Sequence, residues 1–360
     1  MKILQIIPTF DSGGAEHFVL ELSNELCHQG HYVEVLLLYD VSEDNALRKA
    51  LNPQIKVYTL HKTKGFEPRL FFAVNNFIRH RSYDVVHCHV GAIKYVALAA
   101  FICRKTTFVA TIHSEASREA GKSLDKWSRK LMFCTNKCIP VTISKESENS
   151  FEAFYGRKAD MIINGVSEYI KIDDIQLREN ESQTVFLHPA SCQPVKNQIL
   201  LLAAFDRILK EGYNVRLVWV GSKQSKDIFK SLEPLMTRGV LYLGVVSNVR
   251  DYMVASDAIC LSSKMEGMPM TIIEAFSVGC PVLCTPVGGC VNMIEKGKNG
   301  MMSDDLTVES YYRMFKAFIT LSQEDRAKMS ANAFASFPPY NVENCAKGYL
   351  KVYKNRNPKQ

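Results

Sequence analysis

The stretch SSKMEGMPMTIIEAF occupies residues 262–276, and Gly279-Cys280-Pro281-Val282 follows it. The apolar run AICLSS (258–263) leads in and PVLCTP (281–286) leads out, each of strand length. Gly267 and Pro269 shape a loop that opens a helix, since proline lacks only an N–H that the first helical turn leaves unused. The segment therefore reads as strand, loop, helix and strand. N–H groups around residues 268–272 face outward and favour an anion, because a helix start carries partial positive charge. Glu266 lies in the loop and Glu274 one to two turns into the helix. Two carboxylates beside a helix N-terminus suit a ligand with both hydroxyls and a diphosphate.

The same alternation runs outward from this unit. Upstream, ILQIIP (3–8), VEVLLLY (33–39), IKVYTL (55–60), DVVHCHV (84–90), TFVATIHS (107–114) and CIPVTIS (138–144) read as strands. They are rich in Val, Ile and Leu without strict alternation, as parallel strands covered on both faces are. Helix-length segments separate them. In 14–29, Ala15, Phe18, Val19, Leu22 and Leu26 form one apolar stripe, and Gly30 stands at the C-cap position. Residues 165–184 are polar and aperiodic, after which VFLHPA (185–190), VRLVWVG (215–221) and VLYLG (240–244) restart the rhythm. Repeated units of this kind specify doubly wound sheets. The expected fold is α/β, with two Rossmann-like parallel-sheet domains facing a cleft. The first spans 1–166, a linker 167–184 and the second 185–337. A last helix, 341–356, follows Pro338-Pro339, carries Tyr349, Leu350, Val352 and Tyr353, and is expected to pack back on the first domain.

Composition narrows the class. Of 360 residues, 47% are hydrophobic and 22% charged, which excludes a disordered or fibrous chain. No apolar run reaches the ~18 residues of a membrane span. Residues 2–8 are too short and too soon polar for a secretory signal, so a cytoplasmic protein is expected. The eleven cysteines are scattered, form no C-x-x-C, and include several within apolar runs (Cys88, Cys260, Cys280, Cys284). They read as reduced, buried thiols and not as a zinc site or a disulfide framework.

In doubly wound sheets, ligands sit beyond the carboxyl ends of the strands. After the first strand comes Pro8-Thr9-Phe10-Asp11-Ser12-Gly13-Gly14-Ala15-Glu16, a glycine pair opening a helix. It suits close approach of an anion, and equally a tight turn. After the fourth and fifth strands come His87, His89 and His113. His87 and His89 could share a metal, but no carboxylate or cysteine is placed to complete the site. His113 ends a buried strand, where it either points into a cleft or stays in the core.

Together these motifs resemble the retaining glycosyltransferases of the GT-B fold, family 4. Glu266 and Glu274 occupy the family's E-x7-E signature. Gly13-Gly14-Ala15-Glu16 resembles its first-strand glycine loop, Thr111-Ile112-His113 its active-site histidine strand, and Ile163-Asn164-Gly165-Val166 the stretch before its linker. Pro194-Val195-Lys196-Asn197-Gln198 resembles its P-E-K-N motif, and Gly288-Gly289 and Lys298-Asn299-Gly300 match later elements, so the resemblance covers nearly the whole chain. It implies that Glu274 accepts hydrogen bonds from the nucleotide ribose and that Glu266 sits beside the donor sugar. The amides of Gly267 and Met268 would reach the sugar hydroxyls. Lys196 would neutralise the diphosphate leaving group, aided by the glycine loop (Gly13, Gly14) and the helix start at Pro269, Met270 and Thr271. His113 would contact the donor sugar near its anomeric carbon. Positioning and charge stabilisation then carry the reaction, with no cofactor or metal; the chain has no D-x-D, and Asp304-Asp305 reads as a surface turn. One departure stands out: Ser191 replaces the family's diphosphate-binding arginine, giving one hydrogen bond and no charge. Lys223 or Lys264 could compensate.

The resemblance implies transfer of a hexose or N-acetylhexosamine from a nucleotide-diphosphate sugar, UDP favoured, to a glycan or lipid-linked acceptor. The setting is synthesis of bacterial surface polysaccharide or lipopolysaccharide. A nucleotide-sugar epimerase of the same fold would need an acid–base pair on both faces of the sugar. A non-enzymatic nucleotide-sugar binder is the reading that Ser191 suggests. The formal charge of +7 is concentrated in residues 60–140, where fourteen Lys/Arg face five acids. Aromatic neighbours such as Phe71, Phe72, Phe77 and Trp127 make this a candidate for anionic lipid headgroups at the inner membrane face. No nucleic-acid motif accompanies the charge, so no nucleic-acid partner is expected.

Overall fold

The computed structural model describes residues 1–354 apart from Ser12, Lys64, Phe66, Gly121, Lys122 and Thr237, and apart from the side chains of Ser123 and Leu124. Ser12 of the glycine loop, Lys64 and Lys122 of the basic segment, and the predicted helix end at 355–356 lie outside the described residues. The chain divides into two compact units: Met1–Ser167 with the chain from Tyr340, and Glu168–Pro339.

The first unit is built on strands β1 (Lys2–Ile7), β2 (Tyr32–Leu37), β3 (Lys56–Thr59), β4 (Val85–His89), β5 (Thr107–Ile112), β6 (Ile139–Thr142) and β7 (Asp160–Met161). They pair in parallel in the order β3-β2-β1-β4-β5-β6-β7. The second unit repeats the plan with β8 (Thr184–Pro189), β9 (Val215–Val220), β10 (Val240–Gly244), β11 (Ala258–Leu261), β12 (Val282–Cys284) and β13 (Gly300–Met302), ordered β10-β9-β8-β11-β12-β13. Central strands are buried along almost their whole length, as their unbroken apolar runs require. In each unit the order reverses once, between β1 and β4 and between β8 and β11. Loops leave in opposite directions at such a point, and the crevice between them is where doubly wound sheets bind ligands.

Several boundaries differ from the sequence reading. Cys138 and Ile143-Ser144 are outside β6, because Ser144 turns to cap the helix Lys145–Tyr155 through a reciprocal pair with Ser147. Strands β7 and β13 are too short to show as strand-length apolar runs: β7 has two residues, both exposed, and β13 three. Strand β13 opens on Gly300, where a Cβ would stand 2.3 Å from the Val282 carbonyl oxygen. Of the stretch read as a linker (167–184), Ser167 belongs to the first unit and Thr184 opens β8, while residues 168–183 form no helix or strand yet are anchored within the second unit. Asp251 accepts hydrogen bonds from the Tyr169 hydroxyl and, at 2.8 Å, from the Asp173 N–H. Arg178 forks onto both oxygens of Asp257, at 2.8 and 3.0 Å. Polar anchors of this kind leave no periodic signature.

The C-terminal helix, Val342–Lys354, buries Val342, Cys345, Ala346, Tyr349, Val352 and Tyr353 and packs on the helix Gly14–His28 of the first unit. Its start is pinned where Val342 N–H donates to the Val166 carbonyl (2.9 Å). Gly165 permits the approach, since a Cβ there would lie 2.7 Å from Val342 Cα.

Candidate active site

At the reversal point of the second unit, the chain leaves β8 through Ala190–Asn197 and leaves β11 through Ser262–Pro269. A short 3-10 turn, Pro194–Lys196, ends at Asn197 in the left-handed region (φ 52°) before the helix Gln198–Lys210. The two loops are stitched together: Ser262 Oγ donates to the Lys196 carbonyl (2.7 Å) and Lys264 N–H to the Val195 carbonyl (2.8 Å). This places Lys196 Nζ 2.7 Å from Glu266 Oε1, the same oxygen that accepts from Ser263 Oγ at 2.5 Å. The side chains are 25% and 11% exposed, so the pair is partly withdrawn from water but still reachable.

A third loop supports the second. Gly289 N–H donates to the Gly267 carbonyl (2.9 Å). Gly288 has φ 46°, and a Cβ there would lie 1.8 Å from the Glu266 carbonyl oxygen. The glycine pair is thus the backing of the Glu266 loop, a role its sequence position did not reveal. Beyond the loop the helix Met270–Ser277 starts from Pro269 in extended conformation, with no side chain capping it. Its first-turn N–H groups, at Met270 and Thr271, are the kind that accept an anion. Glu274 is half-buried on this helix. The unit therefore brings Lys196, Glu266, Gly267, Met268 and the helix start together, as a cation, a carboxylate and amide donors.

Ser191 is buried, and its Oγ accepts from Gln193 Nε2 (2.7 Å). Gly221 presses on the preceding residue: a Cβ there would lie 2.2 Å from the Ala190 carbonyl oxygen, which also accepts from Trp219 Nε1 (2.8 Å). Lys223 stacks over Phe229, 3.9 Å from its ring centroid, and Lys264 is exposed.

In the first unit, Gly13 is the N-cap of the helix Gly14–His28 with an ordinary φ of −121°. The group closest to it is the carboxyl of Glu16, whose Oε2 would lie 2.4 Å from a Cβ at Gly13. Burial pushes that carboxyl up to about 7, so near neutrality it is divided between charged and uncharged forms. Beside this loop, β4 carries His87 and His89, while β5 stops at Ile112, so His113 is the first residue beyond the strand and not its end. His87 Nδ1 meets the Tyr353 hydroxyl (2.8 Å) and its Nε2 meets Thr111 Oγ1 (2.7 Å), which also bonds the Tyr349 hydroxyl (2.8 Å). His89 Nε2 meets Gln5 Oε1 (2.9 Å) and its Nδ1 meets His113 Nε2 (3.0 Å). All four ring nitrogens of His87 and His89 are engaged by protein groups, which removes the metal-pair reading of the two. His113 is half-buried and its Nε2 turns inward. Burial lowers all three imidazoles, His113 to about 3, so they are neutral at pH 7. Gln5, Tyr349, Tyr353 and Thr111 were not found as partners from the sequence.

The loop after β5 is held by Glu119, which accepts from the His113 N–H (2.8 Å) and meets Arg129 Nη1 (3.3 Å). Arg129 is 1% exposed and also bonds Asp125 Oδ1 (2.7 Å), whose other oxygen takes Lys94 (3.1 Å). Of the cations counted towards a basic surface, Arg129 is therefore internal and Lys94 half-buried in an ion pair, and Met132 and Phe133 belong to the core. Much of what remains outside lies on three helices packed side by side, Arg69–Arg79, Ala97–Ile102 and Ser123–Cys134, and on the turn after the second, while Arg118 is exposed on the helix Ala116–Glu119. Phe72 (64% exposed) and Trp127 (63%) stand out there, with Arg79, Lys105, Lys126 and Lys130 also exposed.

Comparison with known proteins bears on the family and the fold. Residues 12–168 match the family described as Glycosyltransferase Family 4, and residues 170–336 match Glycosyl transferases group 1. The chain is 23% identical to a Campylobacter jejuni enzyme named GalNAc-alpha-(1->4)-GalNAc-alpha-(1->3)-diNAcBac-PP-undecaprenol alpha-1,4-N-acetyl-D-galactosaminyltransferase, over 98% of each chain. It is also 23% identical to the capsular polysaccharide biosynthesis glycosyltransferase CapH of Staphylococcus aureus, over 80% of this chain and 82% of that one. Among solved structures, Anabaena HepE in complex with UDP and glucose superposes with a TM-score of 0.80 at 20% identity, covering 98% of this chain and 99% of the other. At that identity the likeness speaks for the GT-B fold alone. The sheet order of both units, the two family matches and the full-length relatives converge, and the chain belongs to the family 4, group 1 glycosyltransferases.

Proposed function

We propose that this glycosyltransferase moves a hexose or N-acetylhexosamine, with retention, from a UDP-sugar to a glycan or lipid-linked saccharide in bacterial surface polysaccharide synthesis. The observation that carries the reading is the Lys196–Glu266 pair at the reversal point of the second sheet, beside an uncapped helix start. A diphosphate leaving group needs a cation and amide donors, and a sugar ring needs a carboxylate and backbone groups for its hydroxyls. Glu274 is assigned to the ribose and His113 to the sugar. The chemistry needs no cofactor, because the charge of the departing diphosphate is met by Lys196 and the helix amides. The UDP-bound neighbour and the undecaprenol-linked substrate in the Campylobacter relative's name support donor and acceptor class respectively.

A thermal-shift panel of UDP-, GDP- and ADP-sugars tests the donor assignment. A UDP-sugar should stabilise the protein, by ~2.7 kcal/mol at a hundredfold excess over Kd. Absence of any shift with all three classes would refute it.

The exposed Phe72 and Trp127, flanked by Arg79, Lys126 and Lys130, support peripheral contact with an anionic membrane face. The protein should float with phosphatidylglycerol vesicles at low salt and much less at 0.5 M, roughly beyond the reach of screened charges. Trp127→Ala should weaken flotation at both salts, and failure of the wild type to float at either would end the idea.

A further inference from the structure

We infer that Arg129 is a positioning residue: its buried guanidinium joins the turn after β4 to the turn after β5 and so sets where His113 stands. The guanidinium reaches three segments of the chain. Its Nε donates to Asp125 Oδ1 (2.7 Å) one helical turn back, its Nη1 to Glu119 Oε1 (3.3 Å) and its Nη2 to the Val90 carbonyl (2.9 Å). Every partner is an oxygen and a guanidinium only donates, so each contact has one possible direction. Lys94 meets the second oxygen of Asp125 (3.1 Å), so two cations face two carboxylates and the buried cluster carries no net charge.

Two of these partners lie at the ligand edge of the first sheet. Glu119 Oε2 receives the N–H groups of His113 (2.8 Å) and Ser114 (3.3 Å), the first two residues beyond β5. Val90 is the first residue beyond β4 and follows His89, whose Nδ1 lies 3.0 Å from His113 Nε2. Its φ of 43° is strained for a β-branched side chain, and such a conformation persists only where its surroundings impose it. His113 is thus held by its ring from the β4 turn and by its amide from the β5 turn, and Arg129 bonds both turns. A lysine has no fork and would serve one turn at a time. The consequence for sugar transfer rests on the donor-sugar reading of His113, since a displacement of about 1 Å at a reacting centre costs roughly 10²-fold in rate.

Amide hydrogen exchange tests the positioning without any donor, so its failure is distinguishable from failure of the transferase reading. The full chain is labelled with nitrogen-15 histidine, and the His113 amide is assigned against His113→Gln. In Arg129→Lys the His113 amide should exchange about tenfold faster than in wild type or more, while His87 and His188, inside the central strands β4 and β8, stay within about threefold. Glu119→Gln reaches the same point with a side chain of equal size. Its single oxygen cannot serve both Arg129 and the two amides, so the same selective acceleration is expected. A His113 amide that is unprotected in wild type would overturn the inference without needing any variant to fold. One that is unmoved in the variants, or accelerated only in step with His87, would overturn it equally. Turnover gives an independent check: Arg129→Lys should lower kcat by about 10–100-fold with KM changed less, but by less than about threefold when His113 is already alanine. An equal loss in both backgrounds would mean that the network acts elsewhere than through His113, and would also overturn the inference.

Discussion

Lys196→Ala is expected to lower turnover of the sugar donor by about 10²–10³-fold, the range seen when one preorganised charge-stabilising donor is lost. The reasoning is electrostatic. In the resting protein Lys196 is held 2.7 Å from Glu266 in a partly desolvated pocket, so no reorganisation of solvent is needed to present it. The diphosphate gains charge as the glycosidic bond breaks, and an ammonium there is attracted more strongly to the transition state than to the bound donor. The loss should therefore fall mainly on kcat and less on KM. Removing Lys196 also leaves the Glu266 carboxylate with Ser263 as its one remaining side-chain hydrogen bond among those described, which costs about 1–3 kcal/mol of stability. A thermal melt of the variant separates that effect from catalysis. Glu266→Gln probes the pair from the other side: it frees Lys196, so UDP should bind about fivefold more tightly, as for a pair worth about 1 kcal/mol, while turnover still falls. Turnover of Lys196→Ala within tenfold of wild type would sink the proposed role.

That pair shows what is legible in a sequence and what is not. Lys196 and Glu266 each stand out locally, one in a turn after a strand and the other in a loop before a helix. Their contact spans 70 positions and exists because β8 lies next to β11, which is a property of strand order and not of either motif. The doubly wound fold itself was readable because buried parallel strands are continuous apolar runs, and only the backbone-paired β7 and β13 escaped. The histidines were visible, but Gln5 and Tyr353 lie 84 and 266 positions from the rings they bond, on β1 and the C-terminal helix. Charge counting in 60–140 could not separate Arg129 from Lys130, yet helical spacing could have. Arg129 is four residues from Asp125 and shares its face, whereas Lys130 is turned outward.

Gly288→Ala should cost about 3 kcal/mol of stability, combining about 1–3 for overpacking with about 1–2 for placing a non-glycine residue at positive φ. The obstacle is the Glu266 carbonyl oxygen, 1.8 Å from the new methyl carbon, and a backbone atom cannot escape by changing rotamer. The Glu266 loop must therefore move by more than an ångström. That movement carries Glu266 away from Lys196 and shifts the Gly267 carbonyl that receives the Gly289 N–H. Displacement of that order at a reacting centre costs roughly 10²-fold in rate. Gly297→Ala is the control, because Gly297 also has positive φ (77°) but nothing lies within 4 Å of its absent Cβ. It should lose only the conformational part, on the order of 1 kcal/mol, and keep its turnover. Urea midpoints and donor turnover of the two variants measure the difference. If Gly288→Ala proved as stable and as active as Gly297→Ala, the glycine pair would not be the support of the Glu266 loop, and the site would owe its geometry to the Ser262 and Lys264 stitching alone.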